Sequence, residues 1–219
     1  MPSLTEQFRY KLGHNPSPGE VRSWERSLAV LAADLHEAGL DSVEMLIEYK
    51  LPLTSKRADV VLAGVHPVTG RFSYVIVELK QWSRAVLLEG TTDVCVLDGL
   101  GERLHPAAQV RNYCTYVSDF VASIESSEST VSGVAYLHNA TDQDLGDLWA
   151  FEESGHARMF TGQRRGQFLS YLRGLLAPTA GAEAADAFLG SAVRPSKQLM
   201  AVAAEEVQHR EQFVLLDEQ

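Results

Sequence analysis

The segment from Arg57 to Trp82 places charged residues where a buried sheet tolerates few. It consists of RADVVLAG, a turn-rich connection through VHPVTGR, and FSYVIVELKQW. Each apolar run has strand length, and the Gly and Pro between them punctuate a hairpin. Asp59 stands in the first run, while Glu78 and Lys80 close the second. Side chains alternate across a strand, so Glu78 and Lys80 share one face while Val77 and Leu79 share the other. Pairing as a hairpin brings Asp59 to Glu78 and Lys80. Two carboxylates and a lysine on rigid strands suit a hard divalent cation and the activation of a water. The plainer reading of the same residues is a salt bridge at a strand edge.

The flanking chain supplies helices and further strands. A short helix is expected around Leu4–Leu12. Ser17-Pro18-Gly19-Glu20 has capping-box spacing with proline at the first helical position. Val21, Trp24, Leu28, Leu31, Leu35 and Ala38 then recur at three- and four-residue steps up to Gly39, which predicts an amphipathic helix. Val43–Leu51 alternates as a strand, with Val43, Met45, Ile47 and Tyr49 on one face and Glu44 and Glu48 on the other. Another strand is expected at Thr92–Leu97. His105-Pro106 opens a helix to about Ile124, buried through Val110, Tyr113, Val117, Phe120, Val121 and Ile124. Val131–Leu137 and Ala157–Thr161 read as strands. Gln163–Leu176 reads as a helix with Phe168, Leu169, Leu172, Leu175 and Leu176 inward. The Ala- and Gly-rich Pro178–Ala185 suggests a boundary, giving a domain over 1–178 and a helical linker over 179–219. This order of elements is that of an α/β fold with a mixed sheet.

Composition narrows the class. The 219 residues are 45% hydrophobic and 22% charged, ordinary for a soluble globular protein with a real core. No apolar run is long enough to span a bilayer, and no signal-peptide pattern is visible. Cys95 and Cys114 lack zinc spacing, which favours a reducing cytoplasm over a disulfide scaffold. A net charge of −10 argues against tight standalone binding to nucleic acid, whose phosphates call for a basic footprint. It does not oppose chemistry built on clustered acids and bound cations, and it suggests help from another domain or subunit.

Asp59 with Glu78-Leu79-Lys80 downstream resembles the signature of the PD-(D/E)xK nuclease superfamily, although Ala58 stands where the signature has its nominal proline. Gln109-Val110-Arg111-Asn112-Tyr113 resembles the Q-x-x-x-Y motif of RecB-type members. Gln109 and Tyr113, four apart, share a helix face. More specifically, IEYKLPLTSKRADVVLAG, VIVELKQW and HPAAQVRNY resemble the N-terminal nuclease-like domain of bacterial proteins that continue into a superfamily 1 helicase-type ATPase. In those proteins a segment similar to FVLLDEQ leads into the phosphate-binding loop. No G-x-x-x-x-G-K-[ST] occurs in the present sequence.

The resemblance implies a restriction-endonuclease-like core, a central mixed sheet flanked by helices. It implies Mg2+ or Mn2+ held by Asp59, Glu78 and the backbone carbonyl of Leu79, with Lys80 orienting or activating the attacking water. Gln109 and Tyr113 would support the site, and Glu20 on the first helix would complete the metal set. The activity implied is hydrolysis of phosphodiester bonds, of DNA more readily than RNA, in a nuclease–helicase protein of DNA processing or phage (antiviral) defence. The helicase/ATPase domain would be present in cis, with this chain a piece of a longer protein, or supplied in trans.

Several residues admit two readings. Glu20 closes a capping box or binds metal. Glu48 belongs to a solvated strand face or approaches the metal from the sheet. Arg57 contacts a phosphate or pairs with Glu48 or Asp59. Gln81 and Trp82 directly follow Lys80; Trp82 stacks on a base or packs in the core. His105 contacts a phosphate or caps its helix. Arg164-Arg165 is a phosphate contact or a solvated pair. At the level of function, the alternative to a nuclease is a catalytically silent nuclease-like domain that binds nucleic acid or protein and regulates an attached ATPase.

Overall fold

A computed structural model describes residues 18–97, 99–126 and 128–205, with side chains from residue 26 onward. The helix expected around Leu4–Leu12, Ser17 and the final FVLLDEQ lie outside the described residues, as do the side chains of Val21 and Trp24. In chain order the elements are α1 (Pro18–Glu37), β1 (Glu44–Lys50), β2 (Arg57–Val65), β3 (Phe72–Leu79), β4 (Val86–Leu87), β5 (Val94–Leu97) and β6 (Gly101–Leu104). There follow α2 (Pro106–Phe120), α3 (Ala122–Ser126), β7 (Thr130–Leu137), a 3₁₀ segment (Gln143–Ala150), β8 (Arg158–Thr161), α4 (Arg165–Leu175) and α5 (Ala182–Leu189). Residues 197–205 are helical. No helix among the described residues is long and apolar enough to cross a membrane.

The central sheet has the order β1-β2-β3-β7-β8. The β2–β3 hairpin and the β1–β2 pair are antiparallel, whereas β7 joins β3 and β8 joins β7 in parallel. The mixed sheet expected of an α/β chain is therefore present. Strands β2, β3 and β7 are near-continuous apolar runs because helices cover both faces. Leu28, Leu31 and Leu35 of α1 and Phe168, Leu169 and Leu172 of α4 pack on one face against Val60, Leu62, Val75, Val77 and Val134. Val110, Tyr113 and Val117 of α2 and Ala184, Ala185 and Phe188 of α5 pack on the other, against Val61, Ala63, Tyr74 and Ile76.

The strand expected at Thr92–Leu97 is present as β5, which pairs with β4 and β6 in a small sheet within the crossover from β3 to β7. Every residue of β6 is exposed, so no apolar alternation marks it in the sequence. Other expectations are corrected. The helix opened by His105 stops at Phe120, where Val121 turns extended and bridges to Val193 before α3 begins. The chain that follows the boundary expected near Pro178 packs on the sheet as far as α5. The Gly181 N–H donates to the Ser42 carbonyl at 2.8 Å, and a Cβ at Gly181 would collide with the Ala63 carbonyl and the Glu44 amide. Beyond it, Phe188 lies between Tyr49 and Tyr74, with ring centroids 4.9 and 4.8 Å away, and the Tyr74 hydroxyl donates to the Ala184 carbonyl. Small residues serve close packing there, so α5 belongs to the core.

Candidate active site

The β2–β3 ladder runs from Val65 opposite Phe72 to Val60 opposite Val77 and stops. On the other side of β2, the ladder to β1 passes from Ile47–Val60 to Tyr49–Ala58 and omits Glu48 opposite Asp59. Asp59 thus has no ladder partner on either side, at the point where β2 and β3 separate. Its Oδ2 reaches across the gap and accepts from the Leu79 N–H at 2.8 Å. A pocket of about 140 Å³ opens there, lined by Ser27, Leu28, Ile47, Glu48, Asp59, Glu78, Leu79 and Lys80. The structure therefore brings Asp59, Glu78 and Lys80 to one place.

Glu78 is only 2% exposed. Its Oε1 accepts from Lys80 Nζ and from Gln109 Nε2, each at 2.6 Å. Its Oε2 is buried with no hydrogen-bond partner. Burial pushes the Glu78 carboxyl up to about 8, the Asp59 charge adds to this and Glu48 adds less, while Lys80 pulls the other way without prevailing. Burial also raises Asp59, against the opposing pull of Lys80 and the Leu79 N–H. Gln109 Nε2 makes a second bond, 2.9 Å, to the Tyr113 hydroxyl. That hydroxyl is pushed up to about 12 by burial first and by the Glu78 charge second. Three acids facing one lysine leave the pocket short of positive charge.

The remaining candidates are distributed around this cluster. Gln81 donates through Nε2 to Ser27 Oγ at 3.0 Å, and Ser27 Oγ lies 3.1 Å from His138 Nε2. Trp82 is half-buried against the cluster that contains Ala85, Cys95 and Leu137, with Lys80 Nζ 5.2 Å from its ring. Packing accounts for much of that side chain. Arg57 faces Lys50 in the β1–β2 ladder; its Nε is buried without a partner, and it is not among the residues lining the pocket. The backbone of Glu20 is in α1, and its side chain lies outside the described residues.

His105 requires a correction. It is 0% exposed, its Nδ1 accepts from the Ala107 N–H as the cap of α2, and its ring stacks on Phe151 at 4.6 Å. Its Nε2 lies 3.1 Å from the Leu148 carbonyl. Both nitrogens have protein partners and no surface remains for a phosphate. Glu48 is half-buried and lines the pocket. Arg164 and Arg165 are engaged by Asp142 and by Asp34 with Glu37.

Sequence reading missed Ser27 and His138. The available signal was a polar residue, Ser27, next to Leu28 on the apolar stripe of α1. Among the described residues, no group of three or more His, Cys, Asp or Glu side chains is placed to hold a metal ion. No protein-family model, curated protein or solved structure matches the chain.

Proposed function

We propose that this protein is a Mg2+- or Mn2+-dependent nuclease with a restriction-endonuclease-like core, hydrolysing phosphodiester bonds of nucleic acid, DNA before RNA. One observation carries the reading: Asp59 and Glu78 line one pocket with Lys80, and the Glu78 Oε2 is buried without a hydrogen-bond partner. Magnesium keeps several of its waters and takes only one or two protein carboxylates, so a pair of acids fits it without a third close ligand. Asp59, Glu78 and the Leu79 carbonyl would hold the ion. When bound, it supplies a polarised phosphoryl oxygen and a water of lowered pKa.

The chain's own groups have distinct tasks. Lys80 Nζ is fixed by Glu78 Oε1 and only 17% exposed, so it presents a positive charge with little freedom. It orients the attacking water and offsets charge developing on the phosphate. Gln109 gives Glu78 Oε1 its second donor and so fixes the carboxylate; Tyr113 fixes Gln109 in turn. Arg57, Gln81 and Trp82 are the proposed contacts to the substrate. The net charge of −10 fits a module that receives its substrate from an attached or separate helicase-type ATPase. The same charge favours the second reading, a silent nuclease-like domain that regulates such an ATPase.

A panel of single- and double-stranded DNA and RNA, with Mg2+, Mn2+ or chelator, tests the proposal. Metal-dependent cleavage that disappears in both Glu78→Gln and Lys80→Met is expected. Cleavage that survives chelator, or that Lys80→Met leaves intact, would overturn it.

A further inference from the structure

Glu48 lies inside β1 with φ of 51°, in the left-handed region that residues other than Gly, Asn and Asp seldom enter. The β1–β2 ladder keeps one register on both sides of it, from Ile47–Val60 to Tyr49–Ala58. The kink changes which residues face which layer. Met45 and Ile47 pack beneath α1 and α4, but Tyr49 packs into the opposite layer, beside Phe188. An uninterrupted strand would put Tyr49 on the face of Ile47, as the alternation of the sequence predicts. Instead the kink holds Glu48 in the pocket with Ile47, Asp59, Glu78 and Lys80. A strained conformation of this kind persists only where the surroundings determine it. Gly or Asn would accept the same φ with less strain, so the backbone does not explain why the residue is an acid.

We infer that Glu48 is a positioning residue for a hydrated divalent cation, accepting hydrogen bonds from the water shell of an ion held by Asp59 and Glu78. This rests on the metal-dependent reading above. Two observations point to the water shell. Glu48 lines the same pocket as Asp59 and Glu78, yet no three acids of the described chain are placed to hold an ion between them. Separately, Glu78 lines this pocket, is 2% exposed and has an Oε2 with no hydrogen-bond partner, which indicates a ligand at its carboxylate. The pocket's 140 Å³ has room for on the order of four waters around an ion. Outer carboxylates that hold such waters orient the inner shell and strengthen binding. The Glu48 charge already bears on Glu78 and Tyr113 across this space.

The test is direct binding of Mn2+ to the full chain, followed by the electron paramagnetic resonance of the free ion, with thermal melting in chelator. Glu48→Gln and Glu48→Asn are expected to weaken Mn2+ binding roughly 10–100-fold. Glu48→Gly and Glu48→Asn are expected to melt higher than wild type without metal, and Glu48→Gln close to it. Hexaamminecobalt(III), which cannot exchange its ligands, should also bind more weakly to Glu48→Gln. Wild-type Mn2+ affinity in Glu48→Gln, with binding abolished by Glu78→Gln, would sink this inference and leave the nuclease reading standing. Loss of Mn2+ binding with hexaamminecobalt(III) binding unchanged would make Glu48 a direct ligand and overturn the water-shell assignment. Absence of Mn2+ binding in wild type would remove both.

Discussion

Asp34 and Glu78 are the same kind of group in the same kind of place, yet their surroundings differ. Asp34 is 1% exposed and Glu78 2%. Each accepts from a cation at 2.6 Å, Arg165 Nε for Asp34 and Lys80 Nζ for Glu78, and each retains one buried oxygen without a partner. At Asp34 the guanidinium also takes Glu37 at 2.7 Å, and Arg173 donates to the carbonyls of Glu37 and Ala38. These contacts clamp α4 to the end of α1, and Asp34 is not among the residues lining the pocket at Glu78. At Glu78 the lysine faces two more acids across an open pocket. The shifts follow: Arg165 holds the Glu37 carboxyl below its ordinary value, while burial and Asp59 push Glu78 up to about 8. Burial and a short ion pair therefore do not distinguish the candidate site from a clamp. An excess of like charge facing a cavity does.

The sharpest way to break this contrast is to damage each cluster in turn. Asp59→Asn is expected to reduce cleavage about 10³-fold, ~4 kcal/mol of transition-state stabilisation, without lowering the melting temperature in chelator. Removing one of several crowded charges relieves repulsion. Arg165→Met should do the reverse. It leaves the buried Asp34 without its cation, a loss smaller than for a wholly buried pair because Arg165 is 37% exposed. The melting temperature then falls by roughly 5–10 °C, while the folded fraction cleaves within a few-fold of wild type. If folded Arg165→Met were inactive, or Asp59→Asn unfolded, the two clusters would not be separable.

Acid and base should also pull them apart. Glu78 is raised from 4.5 to about 8, so between those values the folded state holds a proton that the unfolded state has lost. Stability from this group is therefore highest below 4.5 and declines as pH rises toward 8. Melting in chelator should show that decline, and Glu78→Gln should flatten it. Saturating Mg2+ should oppose it, because the ion favours the ionised carboxylate and displaces its proton. Glu37 has the opposite sign: its lowered carboxyl supports the fold above 4.5 and loses that support as pH falls. A wild-type melting temperature that rose with pH in chelator would contradict the environment assigned to Glu78.

How much of this could be seen in the sequence depended on whether a local rule was obeyed. The hairpin of β2 and β3 follows from two apolar runs and a Gly- and Pro-marked turn, and it delivers Asp59 to Glu78 and Lys80. Helical spacing put Gln109 and Tyr113 on one face, and only the motif resemblance pointed that face at the acids; Gln109 bonds to Glu78. Local rules failed where tertiary contacts decide. The period-2 pattern of β1 put Tyr49 with Ile47, because no sequence rule anticipates a left-handed Glu48. The small residues Gly181, Ala184 and Ala185 looked like a linker, since close backbone approach and flexibility call for the same residue types. His105 was open to both readings until the Leu148 carbonyl and Phe151 were seen to enclose it.

The smallest expected effect tests whether the support of Glu78 reaches as far as Tyr113. The Tyr113 ring is buried with Val110, Cys114 and Val117, so Tyr113→Phe keeps the packing and deletes only the hydroxyl. That hydroxyl accepts one of two bonds from Gln109 Nε2, the other going to Glu78 Oε1. Losing a single bond of this kind is worth ~1 kcal/mol. If Tyr113 acts only through Gln109 on Glu78, kcat falls about five-fold, the Mg2+ concentration for half-maximal rate rises, and KM for nucleic acid stays constant. A change in KM alone would mean that the hydroxyl meets the substrate itself. A change in melting temperature with no change in rate would put Tyr113 with Asp34, among the groups that hold the fold.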